Sequence, residues 1–495
     1  MGEAHFSTRK VALFRQDTSG GLTYRIPALL YLPPESAFLA FAEERSTPRD
    51  EDSKFLVMRR GRKEGASVQN ISACPENMAE AQAVSGKVTL FSQKKRGGLT
   101  YRIPALLYLP TESAFLAFAE ERSSPRDEAA KFLVMRRGQK EGNSVQWGPQ
   151  ESLKTAMLPE HRTMNPCPVY DQKSGRVFLF FICVQTYITE GHQIRTGRNA
   201  ARLCYVFSQD GGRTWSQTTD LTEQVIGEDL KNWATFAVGP GHGLQLSSGR
   251  LVVPAYTYYI HKRLFGYALS CWIKPHCFTF YSDDGGQSWG RSQLLETLWT
   301  SECQVAELTC PDDSRVLYCS ARTLHKYRAG AFCKDNGDQF VNPSLCKELY
   351  EPPHGCQGSV ASFSPRLDLS QKKDASKSTP LLGVDPSSTS SKSAKSWLIF
   401  SHPTHKRKRL DLGIYLNTSP LEKHCWKAPW VLHEGPSGYS DLAVCEEGES
   451  LTFGCLFECG VSCECEEIAF RLFTDAELLR NTGEAFSCAA SSSEA

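Results

Sequence analysis

Short hydrophobic segments, rich in β-branched and aromatic residues, alternate with turns of Gly, Asp, Asn and Pro along most of the chain. Such segments favour β-strands, because branched and aromatic side chains pack well on a half-buried pleated surface. Examples are residues 176–182, 250–254, 314–318 and 397–400. Amphipathic helical patterns are few, and one of them begins at Thr474. Many short strands separated by turns predict an all-β fold of the sandwich, barrel or propeller type.

One segment of the chain is present twice. Residues 10–69 and 87–146 align without a gap, and 11 mismatches among 60 positions leave 49 identities. Repeats within a solenoid or propeller usually diverge much further, so this pair is typical of a recent tandem copy. Because the second copy continues directly into Trp147 and the rest of the chain, we expect it to be the working one. The alternative is that copy one takes its place and copy two is displaced.

The duplication sets the predicted domain boundaries. Residues 1–86 form a partial duplicate with a joining segment, and residues 87–478 form one β domain. Within that domain, residues 366–396 are rich in Ser, Lys, Asp, Thr and Pro, which indicates a disordered surface insertion. Residues 479–495 are predicted to be a flexible tail.

Composition narrows the range of functions. The chain has 56 Lys and Arg against 55 Asp and Glu, a balance that argues against binding nucleic acid by bulk charge. Hydrophobic residues make up 40% of the chain, enough for a large core, so global disorder is excluded. We expect neither a signal peptide, whose pattern the N-terminal residues lack, nor a membrane span, since no apolar run approaches ~18 residues. With no secretion signal, the 19 cysteines are expected to be mostly reduced.

Two octapeptides, at residues 208–215 and 282–289, share the pattern Ser-x-Asp-x-Gly-x-Thr/Ser-Trp, and a weaker third lies at 333–340. The pattern predicts a hairpin turn in which the Asp carboxylate binds turn amides, Gly adopts positive φ and the aromatic residue fills the sheet core. We therefore expect these Asp side chains to be structural rather than catalytic. The three Asp residues are 74 and 51 positions apart, a spacing that is typical of propeller blades.

Together with the Tyr-Arg-Ile-Pro motif at 101–104, these octapeptides resemble the Asp boxes and the neighbouring motif of the vertebrate exo-α-sialidases. Within that family the chain is most similar to the sialidases that associate with the plasma membrane and act on gangliosides. The resemblance runs from about Val88 to Phe473 and includes further segments at 164–168, 233–243, 302–307, 355–359 and 438–442. It implies a six-bladed β-propeller with the active site at its centre and the duplicated segment as an N-terminal addition.

The resemblance also implies a set of arginines. Sialic acid carries a carboxylate on its anomeric carbon, and Arg binds a carboxylate through two parallel hydrogen bonds. Arg102, Arg322 and Arg409 match the arginine triad of the family. Arg407 lies two residues from Arg409 and is a rival, but the spacing to Asp411-Leu412-Gly413 favours Arg409.

Three residues match the catalytic groups of the family. Tyr439 matches the nucleophile, and Glu302 matches the base that activates it. A neutral phenol avoids the repulsion that a carboxylate would meet at an anomeric carbon that already bears a carboxylate. Glu307 is a rival for Glu302, although an odd offset along a regular strand turns the two side chains to opposite faces. Asp127 matches the general acid/base, which protonates the leaving oxygen and then deprotonates water.

Further residues match substrate-contacting positions of the family. Arg122 resembles a fourth substrate-facing arginine, and Glu458 resembles the carboxylate that orients a triad arginine. Glu190 resembles a contact for the glycerol or N-acyl end of the sugar. Weaker matches are Asn165, Tyr256, Tyr258 and His354.

Copy one repeats three of the candidates, at Arg25, Arg45 and Asp50. The residues alone leave open which copy faces the nucleophile.

The leading hypothesis is an exo-α-sialidase that removes terminal sialic acid with retention through a tyrosyl-glycosyl intermediate. The resemblance implies sialylated glycolipids, oligosaccharides or glycoproteins as substrates, gangliosides first, and no cofactor, metal or nucleic acid. It also implies peripheral association with the plasma membrane, with cytoplasmic or endolysosomal pools. Four thiols lack the paired Cys-x-x-Cys spacing of structural zinc sites, which favours free thiols at Cys455, Cys459, Cys463 and Cys465. A metal site and S-acylation of these cysteines are the alternatives.

Two other hypotheses stay open. A propeller that keeps the arginine triad but lacks the acid or the nucleophile would bind sialosides without cleaving them, as a lectin does. The presence of Asp127, Tyr439 and Glu302 argues against that hypothesis. The third hypothesis is that the duplicated segment competes for the same position in a sheet and inactivates the protein.

Overall fold

The structure, a computed structural model, describes residues 23–32, 37–45, 53–64, 67–70, 86–93, 98–365, 396–448 and 450–483. Antiparallel strands dominate these residues, and the all-β prediction is confirmed. The chain divides into two compact units, Met1–Ser85 and Gly86–Ala495, called unit 1 and unit 2 below. Residues 366–395 of the predicted insertion lie outside the described residues.

Unit 1 contains one antiparallel sheet, with the strand order β1-β2-β3-β4. Its strands are β1 (Thr23–Leu32), β2 (Ala37–Arg45), β3 (Ser53–Glu64) and β4 (Ser67–Asn70). Copy one of the duplicated segment supplies all of these residues except Asn70.

The second copy supplies most of the first blade of unit 2 and the strand that precedes it. The strands here are β5 (Lys87–Ser92), β6 (Thr100–Leu109), β7 (Ala114–Arg122), β8 (Ala130–Glu141), β9 (Ser144–Trp147) and β10 (Glu151–Ser152). The blade runs β6-β7-β8, and both β9 and β10 pair with β8. Thr100 pairs with Arg122 in this copy as Thr23 pairs with Arg45 in copy one. Matching sequence therefore produces the same local strand pairing.

Three further groups of strands follow along the chain. The second blade has β11 (His161–Asp171), β12 (Arg176–Gln185), helix α1 (Glu190–Thr196), β13 (Ala201–Ser208) and β14 (Thr219–Asp220). The third has β15 (Trp233–Val238), β16 (Leu244–Gln245), β17 (Leu251–Ile260), a separate hairpin of β18 (Arg263–Leu264) and β19 (Tyr267–Ala268), then β20 (Ile273–Ser282) and β21 (Gly290–Arg291). The fourth has β22 (Thr300–Thr309), β23 (Arg315–Thr323), β24 (Tyr327–Cys333) and β25 (Val341–Tyr350).

The last sheet consists of two blades joined by one long strand. Its members are β26 (Ser359–Phe363), β27 (Trp397–Pro403), β28 (Leu410–Asn417), β29 (Trp430–Glu447), β30 (Ser450–Cys459), β31 (Glu467–Thr474) and β5. Strand β29 pairs with β28 before residue 437 and with β30 from residue 437 onwards. Counted in this way, the described residues of unit 2 form six groups of at least four strands, which agrees with the predicted six-bladed propeller.

The ring of blades closes between the two ends of unit 2. Strand β5, at the N-terminal end, pairs with β31 near the C-terminal end. The Glu467 carboxylate accepts hydrogen bonds from Lys87 Nζ and Thr89 Oγ1 at this junction. Copy one has Ala12 at the position of Thr89 and therefore lacks one of these donors.

The octapeptides form the turns that the sequence predicts. Asp284 accepts hydrogen bonds from the backbone N–H groups of Gln287 and Ser288, both at 2.9 Å. The Ser288 hydroxyl and amide lower the pKa of Asp284 to about 2, so the carboxylate stays charged. Trp289 packs edge-on against Phe180, with 4.6 Å between ring centroids, inside the largest core cluster. These Asp residues are structural.

The described helices are short. Thr189 caps α1, and α2 (Asp475–Asn481) begins with a capping box at the predicted helix start, Thr474. Residues 479–481 of the predicted tail complete α2, whereas 484–495 lie outside the described residues. No helix in the described part of the chain has the length and hydropathy that crossing a bilayer requires.

The two copies differ in burial although their sequences match. In unit 2, Ile103 and Leu106 are 6% and 1% exposed. The equivalent residues of unit 1, Ile26 and Leu29, are 57% and 68% exposed. Leu106 belongs to a core cluster that includes Phe470 of the last blade. Neighbouring blades, rather than the segment itself, thus supply the partners for the apolar face.

Matched substitutions in the two copies test this difference. Phe118 is fully buried and packs edge-on against Trp215, whereas its counterpart Phe41 is partly exposed. We expect Phe118→Ala to lower the free energy of unfolding of unit 2 by about 3–5 kcal/mol, because it opens a cavity in the core. Phe41→Ala should leave that transition unchanged. All nine Trp residues lie after residue 146, so tryptophan fluorescence during denaturant unfolding follows unit 2. Equal effects of the two substitutions would contradict this expectation.

Candidate active site

A central pocket of about 280 Å³ lies in unit 2, where the N-terminal ends of β6, β11, β15 and β22 meet the second half of β29. Its lining includes eleven of the thirteen site residues predicted for copy two and the later chain: Arg102, Arg122, Asp127, Asn165, Glu190, Tyr256, Tyr258, Glu302, Arg322, Arg409 and Tyr439. The chain positions of these residues span more than 300 residues, so the closed ring is what brings them together.

A phenol, a carboxylate and a guanidinium group form the centre of the pocket. Tyr439 Oη donates a hydrogen bond to Glu302 Oε1 at 2.6 Å. Arg322 Nη1 donates to Glu302 Oε2 at 2.6 Å and to Tyr439 Oη at 3.0 Å. Burial and the negative charge of Glu302 raise the pKa of Tyr439 well above its usual value. The phenol is therefore neutral at rest, with a base within hydrogen-bond distance.

Glu458 lies behind this centre and is fully buried. Its carboxylate accepts hydrogen bonds from Arg102 Nε at 2.6 Å and from the backbone N–H groups of Ile103 and Tyr439 at 2.9 and 3.0 Å. Burial alone would lower the pKa of Arg102, but Glu458 raises it well above the usual value. Glu458 thus holds a charged arginine and the backbone of Tyr439 in fixed positions.

Two more arginines approach the phenol of Tyr439 from the fourth and fifth blades. Arg322 donates from Nε and Nη2 to the backbone carbonyl of His354, at 3.0 and 2.6 Å. Arg409 donates to the carbonyl of Gly355 at 3.0 Å, and its guanidinium carbon lies 5.4 Å from the centroid of the Tyr439 ring. The His354 residue is exposed and does not line the pocket, so its described contact is through the backbone.

Asp127 stands at the mouth of the pocket, with a side chain that is 62% exposed. Arg122 Nη1 donates to Asp127 Oδ1 at 2.6 Å. Arg122 itself is fully buried, and its Nε donates to Glu120 at 2.8 Å. Glu120 also accepts the backbone N–H of Asn165 at 2.7 Å. Glu120 was not predicted as a site residue, although its offset of two from Arg122 on one strand places both side chains on the same face.

Helix α1 brings Glu190 into the pocket from its first turn. Glu190 as a residue is exposed to solvent, while the protein around its carboxyl group reduces the hydration of that group. That burial, with the negative charges of Asp127 and Glu302, raises the pKa of Glu190 to about 7. Burial likewise raises the pKa values of the neighbouring Tyr256 and Tyr258. The charge of Glu190 therefore changes near neutral pH.

Several pocket residues carried no recognisable signal in the sequence. Arg162 lines the pocket and donates to the carbonyls of Gln185 and Ile188 at 3.0 and 2.7 Å. Burial lowers its pKa. Trp299 and Leu324 also line the pocket and are 45% and 69% exposed. Their positions depend on how the blades are arranged around the axis.

Two rival residues of unit 2, Glu307 and Arg407, do not line the pocket. Glu307 accepts hydrogen bonds from the amide and hydroxyl of Ser247, both at 2.9 Å, and Arg407 is exposed outside the pocket. In unit 1, Arg25 is exposed and Arg45 pairs with Glu43. Asp50 lies outside the described residues.

Within the part of the chain that the structure describes, no cysteine lines this pocket. In the core between the third and fourth blades, the thiols of Cys277, Cys303 and Cys319 lie within 4.8 Å of one another. The described cysteines near the C-terminus, including Cys455 and Cys459, are free thiols, which agrees with the sequence-based expectation.

Comparisons with known proteins place the chain in a family. The model of the BNR repeat-like domain matches residues 113–452. Sialidase-3 of Homo sapiens is 56% identical over 410 residues, which cover 81% of this chain and 95% of that protein. The chain belongs to the vertebrate sialidase family. Sialidase-3 of Bos taurus is 54% identical over 411 residues, covering 81% of this chain and 96% of that protein.

The fold agrees with this assignment. The structure of the Hadza microbial sialidase Hz136 superposes with a TM-score of 0.59 at 20% identity, covering 90% of this chain and 75% of that one. The identity to the sialidase-3 relatives confirms the predicted family and enzyme class, a glycoside hydrolase of the exo-α-sialidase type.

The pKa of Glu190 predicts how sialoside binding depends on pH. As pH rises through about 7, Glu190 loses its proton and adds a negative charge beside an anionic substrate. We expect the KM for a soluble sialoside to rise roughly threefold across that window, and Glu190→Gln, which stays neutral, to remove this rise. Glu307→Gln is the matched control, since Glu307 lies outside the pocket. KM profiles that rise equally in all three proteins would argue against this role of Glu190.

Proposed function

We propose that this sialidase removes terminal sialic acid with retention of configuration, through a covalent intermediate on Tyr439. The observation that supports the proposal most strongly is the 2.6 Å hydrogen bond from Tyr439 Oη to Glu302. A neutral phenol next to a carboxylate can transfer its proton as it attacks the anomeric carbon. The substrate carboxylate repels a carboxylate nucleophile but not a phenol.

The arginines would bind the carboxylate of the substrate. Arg102, Arg322 and Arg409 all approach Tyr439, and two of their guanidinium carbons lie 5.6 and 5.4 Å from the centroid of its ring. Planar guanidinium groups bind carboxylates more specifically than an ammonium group does. Because Glu458 and the carbonyls of residues 354 and 355 already hold these arginines, little ordering is needed when substrate binds.

Asp127 would provide the proton for the leaving glycosidic oxygen. Its Oδ1 accepts from Arg122, and we assign proton transfer to Oδ2. In the first step, Glu302 accepts the phenol proton, the Tyr439 oxygen bonds to the anomeric carbon, and Asp127 protonates the departing group. In the second step, Asp127 accepts a proton from water, which displaces Tyr439, and Glu302 returns the proton to the phenolate. Two displacements at one carbon retain its configuration.

We also propose the substrate class and location that the sequence resemblance implies. The substrates are sialylated glycolipids, oligosaccharides or glycoproteins, with gangliosides preferred. The protein associates peripherally with the plasma membrane, with cytoplasmic or endolysosomal pools. The relatives named sialidase-3, at 51–56% identity, support the general activity and share most of the chain.

Matched substitutions in the two copies test the assignment. With a fluorogenic α-sialoside, Asp127→Ala should lower kcat by roughly 10²–10⁴-fold, because the leaving group loses its acid. Asp50→Ala, the same change in copy one, should leave kcat and KM unchanged. Tyr439→Phe should also remove turnover while keeping sialic acid binding, since the arginines remain.

Each alternative has its own outcome. Loss of activity in Asp50→Ala but not in Asp127→Ala would move the site to copy one. A parent protein that binds sialosides without turnover would be a lectin rather than an enzyme. Deleting residues 2–86 shows whether copy one contributes, and we expect full activity without it.

A further inference from the structure

A short hairpin of exposed aromatic and basic residues stands apart from the blades. Strands β18 and β19 lie between β17 and β20 and, among the described residues, pair only with each other. Residues 261–267, with the sequence His-Lys-Arg-Leu-Phe-Gly-Tyr, are all exposed. Phe265 is 91% exposed and Tyr267 73%. Contiguous exposed apolar residues of this kind mark an interaction surface.

The tip of the hairpin has a bulky residue in a backbone conformation that disfavours bulky side chains. Leu264 pairs with Tyr267, so Phe265 and Gly266 form a two-residue turn, with φ values of 48° and 82°. Turns with two positive φ values favour Asn, Asp or Gly at the first position, and a bulky residue there is an outlier. Local folding preference therefore does not explain the phenyl ring at this position.

The hairpin is attached to the elements that form the pocket. Ala268 of β19 and Ile194 of α1 both pack against the same small apolar cluster. Helix α1 also places Glu190 in the pocket, and β17 and β20 place Tyr258 and Pro275 there. The hairpin therefore stands on the same side of unit 2 as the mouth of the pocket.

Other exposed apolar residues lie on this side. Tyr187, just before α1, is 89% exposed. Trp299 and Leu324, which line the pocket, are exposed as well, and Lys274 Nζ lies 4.1 Å from the centroid of a Trp299 ring. Aromatic rings accompanied by basic side chains are typical of surfaces that contact a membrane.

We propose that residues 261–267 enter the headgroup region of a lipid bilayer and set the mouth of the pocket against the membrane that carries the substrate. The inference rests on the proposed function and adds the surface that makes the contact. Phe265 and Tyr267 supply rings that prefer the membrane interface. Lys262 and Arg263 supply positive charge for anionic headgroups, and the segment has no acidic residue, although the whole chain has a net charge of only +1.

Vesicle binding by the full-length protein tests the proposal. The probe is phosphatidylcholine vesicles with and without phosphatidylserine, and free of sialic acid. Phe265→Asn removes the ring but places a favoured residue in the turn, so the hairpin should fold at least as well. We expect roughly tenfold weaker vesicle binding, an unchanged or higher melting midpoint and unchanged turnover of a soluble sialoside. Leu421→Asn changes another exposed residue, away from the pocket lining, and should bind vesicles like the parent.

The outcomes separate this proposal from the proposed function. Equal vesicle binding by the parent and Phe265→Asn, or no binding by the parent, would overturn it. A change in self-association with unchanged vesicle binding would mean that the hairpin contacts a second copy of the chain, which also overturns it. Absence of sialoside turnover in every variant would reject the proposed function, while the difference in vesicle binding would still support the lipid contact.

Discussion

The structure depends on holding the guanidinium groups of Arg102, Arg322 and Arg409 close together around Tyr439, in a largely buried pocket. Such groups repel each other and lose hydration, so each needs a fixed negative partner or carbonyl. Glu458 provides this for Arg102 and Glu302 for Arg322. Because Glu458 lies on β30 and Arg102 on β6, the same ion pair joins the last blade to the first. The same ion pair therefore compensates charge in the pocket and helps to close the ring of blades.

A second buried carboxylate has a similar role below the pocket. Asp441 accepts hydrogen bonds from the backbone N–H of Leu106 at 2.7 Å, the Ser359 hydroxyl at 2.8 Å and the His242 ring at 2.7 Å. These partners come from the first, fifth and third blades. Burial opposes protonation of His242, but Asp441 outweighs it and raises its pKa. Tyr439 lies two residues before Asp441 on β29. Glu458 therefore holds this strand at the backbone of Tyr439, and Asp441 holds it just beyond.

Sequence motifs predicted the strands, the turns and most of the pocket lining, because these depend on local patterns or on residues that the family motifs mark. They did not predict Glu120 and Arg162, whose roles arise only when strands distant in the chain meet. The carbonyl of His354 is another such case, since a backbone contact leaves no trace in side-chain identity. The two copies of the duplicated segment also show that burial depends on contacts with distant parts of the chain. Copies one and two pair their strands in the same register, yet Leu29 is exposed and Leu106 buried, because burial depends on neighbouring blades.

We propose that the neutral phenol of Tyr439 becomes the nucleophile because Glu302 lies 2.6 Å from it. A sialosyl fluoride with a second fluorine next to the anomeric carbon slows breakdown of the glycosyl-enzyme and allows it to accumulate. Peptide mass spectrometry of the treated protein then locates the label. We expect a sialosyl adduct on the peptide that contains Tyr439 and no such adduct in Tyr439→Phe. A label on Glu302 or Asp127, or turnover of the reagent with no covalent adduct, would contradict it.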